Sequence, residues 1–195
     1  MNPNGTPWMS TAPYDLVFVS PDFHLWWPRG EILDTAEFDH AAEIWRRAVP
    51  PDCQFIWDLV IYPPQDWAAA NPGEMCRDEE GVINRDGGSH NINFSFASQK
   101  AREAMAKMLD RAIDYLERSP YANRIAGYRV NSGHTIEWLG WEPMQGRTRK
   151  KTETDFSAVA QASFERFARV RYPWMTDFSV PTLAERLSLD EGSLL

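Results

Sequence analysis

Glu137 is the residue of this sequence best placed to do chemistry, because aromatic and polar side chains surround it along the chain. Trp138 and Trp141 follow it closely, and His134 and Asn131 precede it. Aromatic rings stack on the C–H faces of sugars, and burial beside rings raises the pKa of a carboxyl group. Such an acid can protonate a glycosidic oxygen near neutral pH. The alternative interpretation is a surface carboxylate with two core tryptophans nearby.

Other groupings of reactive residues find less support. His134 and Glu137 lie in a predicted loop without a further His or Cys cluster, so we expect no metal and no cofactor. The sequence has no Gly-x-Ser-x-Gly segment to indicate a serine hydrolase. Asp58 interrupts an apolar run, where a charge is costly without partners, so it is either a hydrogen-bonded structural acid or a residue that faces the site. Trp67 either lines a sugar site or anchors a long loop.

The composition restricts the classes of partner. The net charge of −8 argues against nucleic acid, which favours a basic surface. The sequence has no apolar stretch of transmembrane length and no signal-like N-terminal segment, so we expect no membrane association and a cytoplasmic location. Nine tryptophans are many for one core of this size, which indicates that some rings contact a ligand.

Cys53 opens a strand-like run, and we expect it to be a buried, reduced thiol.

Apolar periodicity predicts alternating strands and helices. Three short apolar runs, at 14–19, 55–62 and 125–130, are typical of strands covered on both faces. Amphipathic segments predict helices that begin near Asp34, near Ser98 and near Ser157. The expected buried face of the last helix comprises Ala160, Phe164, Phe167 and Ala168.

The order of strands and helices predicts a parallel α/β fold, and we expect the (β/α)8 TIM-barrel type. The alternative is a doubly wound sheet, but the segment 20–30 after the first strand lacks the glycine-rich turn that holds a phosphate. The long loop 63–96 and the loop with Glu137 each follow a strand. Both should therefore lie at the carboxyl edge of the sheet, where α/β proteins bind ligands.

Five segments share their order and spacing with a known group of enzymes. They are Ile61-Tyr-Pro-Pro-Gln-Asp-Trp67, Asn71-Pro-Gly-Glu74, Ser95-Phe-Ala-Ser98, Ser119-Pro-Tyr-Ala-Asn-Arg-Ile-Ala-Gly-Tyr128 and Gly133-His-Thr-Ile-Glu-Trp138. Together they resemble the β-galactosidase-like glycoside hydrolases related to glycoside hydrolase family 42. The resemblance covers most of the chain from about Phe38 onward, including the later segments 155–157, 164–168, 171–172 and 181–186.

The resemblance implies a (β/α)8 barrel that hydrolyses β-galactoside-type bonds with retention, using two carboxylates. Glu137 matches the proton donor, which would protonate the leaving oxygen and then activate water. The implied contacts to the carbohydrate substrate are Asn131, His134, Trp138, Trp141 and Trp67. Ile136 stands where better-known relatives have an asparagine before the acid. The nucleophile of such proteins follows the seventh strand, and no acid of this sequence matches it.

A complete barrel needs about 250 residues, so we expect residues 1–195 to form a single, partial catalytic-barrel domain. Residues 1–12 are expected to be disordered and residues 187–195 to form a flexible tail. The chain alone is expected to be an inactive part of a larger glycosidase, with open barrel edges that favour association or homo-oligomers. The alternative is a non-catalytic carbohydrate-binding or truncated scaffold relative.

Overall fold

A parallel, three-stranded sheet organises the first part of the fold. The computed structural model describes residues 15–21, 33–83, 92–132, 155–182 and 185. The strands are β1 (Leu16–Val19), β2 (Gln54–Val60) and β3 (Ile125–Asn131), arranged in the order β1-β2-β3 with both pairings parallel. The three strands and their parallel α/β arrangement confirm that part of the prediction.

Four α-helices accompany the strands in the described ranges: α1 (Thr35–Ala48), α2 (Gln65–Ala70), α3 (Gln99–Arg118) and α4 (Ala158–Arg171). Short 3-10 turns occupy Pro72–Glu74 and Ala122–Arg124. None of the helices in these ranges combines the length and the apolar character that crossing a bilayer requires.

The ends of α1 follow from local sequence chemistry. The Asp34 carboxylate accepts a hydrogen bond from the Ala36 amide at 3.0 Å, which satisfies one of the unpaired donors at the helix start. At the other end Val49 is extended, as expected for a residue before proline, and Pro50 prevents continuation. The predicted start at Asp34 is therefore confirmed.

The core of the sheet lies between β2 and the helices of one face. Phe55, Trp57 and Leu59 alternate along β2 on the same side and are fully buried. The Phe38 ring of α1 lies 5.6 Å from the Trp57 ring and 6.0 Å from the Tyr115 ring of α3. Helices α1 and α3 therefore cover the same face of the sheet. The β2 residues that alternate with Phe55, Trp57 and Leu59 lie on the opposite face.

The chain divides into two compact units. The first contains Met1–Trp67 and Glu103–Ser132, which include the whole sheet, and the second contains Ala68–Arg102 and Gly133–Leu195.

In the second unit, α4 packs on the 3-10 turn Pro72–Glu74. Ser157 caps α4 by accepting from the Ala160 amide at 3.3 Å. The amide of Phe156 donates to the Arg77 carbonyl at 2.8 Å, and the Arg77 amide donates to the Asp155 carboxylate at 3.3 Å. These bonds join the start of α4 to the segment after the 3-10 turn.

The expected buried face of α4 is partly wrong. Ala168 is fully buried and Ala160 and Phe164 are half-buried, but Phe167 is 58% exposed. The residues at 160, 164 and 168 follow each other at intervals of four and form one narrow row, and Phe167 lies to its side. The apolar stripe of this helix is therefore narrower than its sequence indicates.

The prediction of a (β/α)8 barrel is wrong for this structure. A barrel needs eight parallel strands to close, whereas the described residues form three. Residues 63–83 and 92–96, the described parts of the predicted loop 63–96, add no parallel strand. They form α2, a 3-10 turn and two isolated antiparallel bridges, Met75↔Phe94 and Arg77↔Ile83. The fold is a small α/β arrangement, and the expectation of a partial catalytic barrel loses its basis.

Candidate functional site

The parallel register of β2 and β3 brings polar side chains together near the carboxyl ends of the strands. Asp58 of β2 is the register partner of Arg129 of β3, and Val60 is the partner of Asn131. Ser20 follows directly after β1, whose last residue Val19 pairs with Trp57. Since side chains two residues apart share a face, Asp58 lies opposite to the helix-covered residues Trp57 and Leu59.

Asp58 is 3% exposed and accepts hydrogen bonds from three side chains. The Arg129 guanidinium donates from Nε to Oδ1 at 3.0 Å and from Nη2 to Oδ2 at 2.5 Å. The Ser20 hydroxyl donates to Oδ2 at 3.2 Å, and the Asn131 amide donates to Oδ1. We call these four residues the Asp58 network. Its bonds provide the partners that a carboxylate needs inside an apolar strand.

Arg129 presents the exposed end of the Asp58 network. Its side chain is 46% exposed, whereas that of Asp58 is 4% exposed. The guanidinium carbon lies 4.4 Å from the centroid of the Phe18 ring, which is itself half-exposed. The hydrogen bonds to Asp58 raise the pKa of Arg129 above its usual value, so the group stays charged. Asp58 and Phe18 together fix the position and plane of a solvent-facing cation.

Asn131 was predicted as a sugar contact, and the structure gives it a different, unpredicted contact. Its side chain is 7% exposed and donates to the Asp58 carboxylate. Its backbone carbonyl accepts from the Ile61 amide at 2.8 Å, and the Ser132 hydroxyl donates to the Ile61 carbonyl at 2.7 Å. These bonds hold the end of β3 against the chain that leaves β2. Sugar contact by Asn131 stays a prediction.

The other predicted site residues are placed as follows. Glu137, His134, Trp138 and Trp141 lie outside the described residues. Trp67 lies half-buried in α2, and its backbone amide donates to the Asp66 carboxylate at 2.8 Å. The roles of these five residues therefore stay predictions.

The sequence contains a partial signal for the Asp58 network. Asp58 stands out as a charge inside an apolar strand, and Arg129 stands out in the same way within Ile125–Asn131. Two opposite charges inside strands that become neighbours are candidates for pairing. The exact register that joins them depends on the crossover through α3 and is not readable from spacing alone.

A second polar cluster in the first unit has a structural role. Asp39 Oδ1 accepts from the Tyr115 hydroxyl at 2.7 Å and from the Tyr121 hydroxyl at 3.1 Å. Burial, assisted by these bonds, raises the pKa of both tyrosines. The cluster ties α1 to α3 and to the turn that precedes β3.

The two cysteines of the described ranges are buried away from solvent. Both Cys53 and Cys76 are buried free thiols, which confirms the expectation for Cys53, and burial raises the pKa of each. Within those ranges no cluster of three or more His, Cys, Asp or Glu side chains is arranged to hold a metal ion.

The Asp58 network can bind a ligand through hydrogen bonds, but its carboxylate is poorly suited to attack one. Both Asp58 oxygens already accept hydrogen bonds, and the side chain is almost inaccessible. Arg129 is the member that can meet a ligand directly. Comparison of the sequence with protein-family models and with curated proteins finds no match.

Proposed function

We propose that this protein is a glycoside hydrolase-like protein that binds β-galactoside-type carbohydrate, with Glu137 as the general acid/base. The observation that carries the proposal is the Asp58 network at the carboxyl ends of parallel strands, the edge at which α/β proteins bind ligands. The resemblance of the segments around Glu137 to β-galactosidase-like proteins supports the choice of substrate class.

The chemistry of the edge agrees with a sugar ligand. Sugars have hydroxyl groups that need polar partners and C–H faces that pack on apolar surface. Arg129 offers hydrogen-bond donors, and Phe18 beneath it offers apolar surface. Recognition of hydroxyl groups needs hydrogen-bond donors that are held in a fixed geometry. The two hydrogen bonds from Arg129 to Asp58 hold the guanidinium in such a geometry.

Glu137 follows Asn131 by six residues in the sequence. Its proposed role is to give a proton to the glycosidic oxygen as the bond breaks and to remove a proton from water afterwards. No residue of this sequence is assigned as the nucleophile, because no acid matches that position of the resembling proteins and because the oxygens of Asp58 already accept hydrogen bonds.

The test uses the protein encoded by the complete gene that contains these residues. Glu137→Gln should lower kcat by about 100-fold or more for galactosides with a poor leaving group, since these need proton donation. Aryl galactosides with a good leaving group should be affected less at the glycosylation step. Glu142→Gln, an acid close by in the sequence, is the matched control and should retain wild-type rates.

Equal rates for Glu137→Gln and wild type would contradict the acid/base role. Sugar binding without any hydrolysis would instead favour the alternative of a non-catalytic carbohydrate-binding protein. Absence of both binding and hydrolysis would contradict the carbohydrate assignment altogether.

A further inference from the structure

The face of the sheet opposite to the helices carries an exposed apolar row beside the Asp58 network. Phe18, Ile56 and Gly127 pair across the three strands in one row. Arg129 lies two residues beyond Gly127 on the same strand and therefore on the same face. Phe18 is 47% exposed and Ile56 is half-buried, so this row presents apolar surface to solvent.

Within the part of the chain that the structure describes, Arg129 keeps a pair of parallel donors without an acceptor. A guanidinium carries five N–H donors, and Asp58 takes one from Nε and one from Nη2. The end formed by Nη1 and the second Nη2 hydrogen has no acceptor among the described residues. Such a fork binds two oxygen atoms side by side. Because Asp58 and Phe18 fix the guanidinium, little side-chain entropy is lost when a ligand binds there.

Charge decides which pair of oxygens fits this fork. Asp58 already balances the charge of Arg129, and the chain has a net charge of −8. A carboxylate ligand would bring a negative charge that no further cation of the network compensates, close to the buried Asp58. Two neighbouring hydroxyl groups of a neutral sugar accept the same two hydrogen bonds without this repulsion.

Gly127 leaves room for the ligand beside the fork. A Cβ atom at this position would meet no heavy atom within 4 Å. A glycine inside a strand weakens the strand and often marks a β-bulge or a place where a ligand approaches closely. The register of β2 with β3 shifts by one residue directly before Gly127, so the bulge accounts for the glycine, and the open space beside it remains accessible to a ligand. The open space at Gly127 lies on the same face as Arg129, next to Ile56, which separates Gly127 from Phe18 in the row.

We propose that the outer fork of Arg129 binds two adjacent hydroxyl groups of a neutral sugar, which occupies the space over Gly127. This assignment rests on the proposed function, since it names how that site selects its carbohydrate. Asp58 acts as the positioning residue that orients Arg129, and the site discriminates against acidic sugars.

The test is calorimetric titration of the full chain with methyl β-galactoside and, separately, with the corresponding methyl galacturonoside. Wild type should bind the neutral sugar more tightly. Arg129→Lys keeps the charge but loses the fork and should weaken neutral-sugar binding about tenfold or more. Gly127→Val suits a strand but fills the open space, and it should weaken binding to a similar extent.

Matched controls are Arg118→Lys, at an exposed ion pair on α3, and Gly73→Val, at a glycine of the second unit with equally open surroundings. Both should bind like wild type, and circular dichroism should show the wild-type fold for every variant. If Arg129→Lys does not fold, the sugar binding measured for Gly127→Val alone tests the inference.

The outcomes separate this inference from the proposed function. Unchanged binding of methyl β-galactoside by Gly127→Val and a folded Arg129→Lys would overturn the inference while leaving the carbohydrate function intact. Tighter binding of the galacturonoside would overturn the selection for a neutral sugar. Failure of wild type to bind either sugar would overturn the proposed function, and the inference with it.

Discussion

Asp58 and Arg129 form a two-bond pair across neighbouring parallel strands, with the carboxylate buried and the guanidinium half-exposed. The two residues depend on different partners for their stability and position. Asp58 needs Arg129, Asn131 and Ser20 to be stable inside the strand. Arg129 is held in place by Asp58 and Phe18, and its remaining donors meet no acceptor among the described residues.

Loss of the Asp58 carboxylate should destabilise the first unit. Asp58→Ala leaves the buried Asn131 amide without its acceptor, while Arg129 can be rehydrated because it is half-exposed. We expect the free energy of unfolding to fall by about 2–3 kcal/mol in urea titrations. Asp110→Ala, on the exposed side of α3, is the control and should stay within about 0.5 kcal/mol of wild type. An equally small effect of Asp58→Ala would show that the network contributes nothing to stability.

Alkaline pH should destabilise the fold through Tyr121. Burial and the bond to Asp39 raise the pKa of this tyrosine above that of the unfolded chain, about 10. A group whose pKa is raised on folding contributes stability below the unfolded value, and this contribution is lost as pH rises above it. The urea midpoint should therefore decrease above about pH 10. Tyr121→Phe should lower stability at neutral pH and reduce the alkaline decrease.

Tyr172→Phe, at an exposed ring of the second unit, is the matched control for this pH series. It should reproduce the wild-type alkaline decrease. An identical pH profile for Tyr121→Phe and wild type would contradict a role for the buried phenol.

The start of α3 should depend on the hydroxyl group of Ser98. This buried hydroxyl accepts from the Ala101 amide at 2.9 Å and donates to the Glu74 carboxylate at 2.6 Å. Ser98→Ala removes both bonds and should cost about 1–2 kcal/mol, with faster hydrogen exchange in the first turn of α3. Ser98→Thr retains a hydroxyl and should lose less stability. Unaltered exchange in Ser98→Ala would mean that the cap does not hold the helix start.

Because the apolar row of α4 is narrow, substitutions at the neighbouring positions Phe167 and Ala168 should differ in their effect on stability. Phe167→Ser removes an exposed ring and should change the unfolding free energy by no more than about 0.5 kcal/mol. Ala168→Leu adds methylene groups at a fully buried position and should cost about 1–3 kcal/mol. Thermal unfolding of the two variants provides the measurement. A larger loss for Phe167→Ser than for Ala168→Leu would reverse the assignment of the buried face.

The elements of this fold were predictable where the cause is local. The apolar run around Trp57 and the proline after Val49 mark β2 and the end of α1 directly. The number of paired strands was not predictable in this way, and the expected barrel was wrong for that reason. The described residues form three parallel strands, and the described part of 63–96 forms α2, a 3-10 turn and isolated antiparallel bridges.

The same distinction applies to the candidate site. Asp58 was recognisable as unusual because a charge inside an apolar strand needs partners. Its pairing with Arg129 and Asn131 depends on the register of β2 with β3, which residue spacing within either strand does not contain. The assignment of Glu137 rests on its aromatic neighbours in the sequence and on the resemblance, and it stays a prediction.

The most direct test of carbohydrate binding at this sheet edge is a nuclear magnetic resonance titration of the nitrogen-15-labelled chain with methyl β-galactoside. The proposed site predicts saturable shifts of the Arg129 Nε–H signal, the Asn131 side-chain amide and the Gly127 backbone amide. Shifts confined to other regions, such as the exposed Trp174 indole of the second unit, or the absence of any saturable shift, would contradict it.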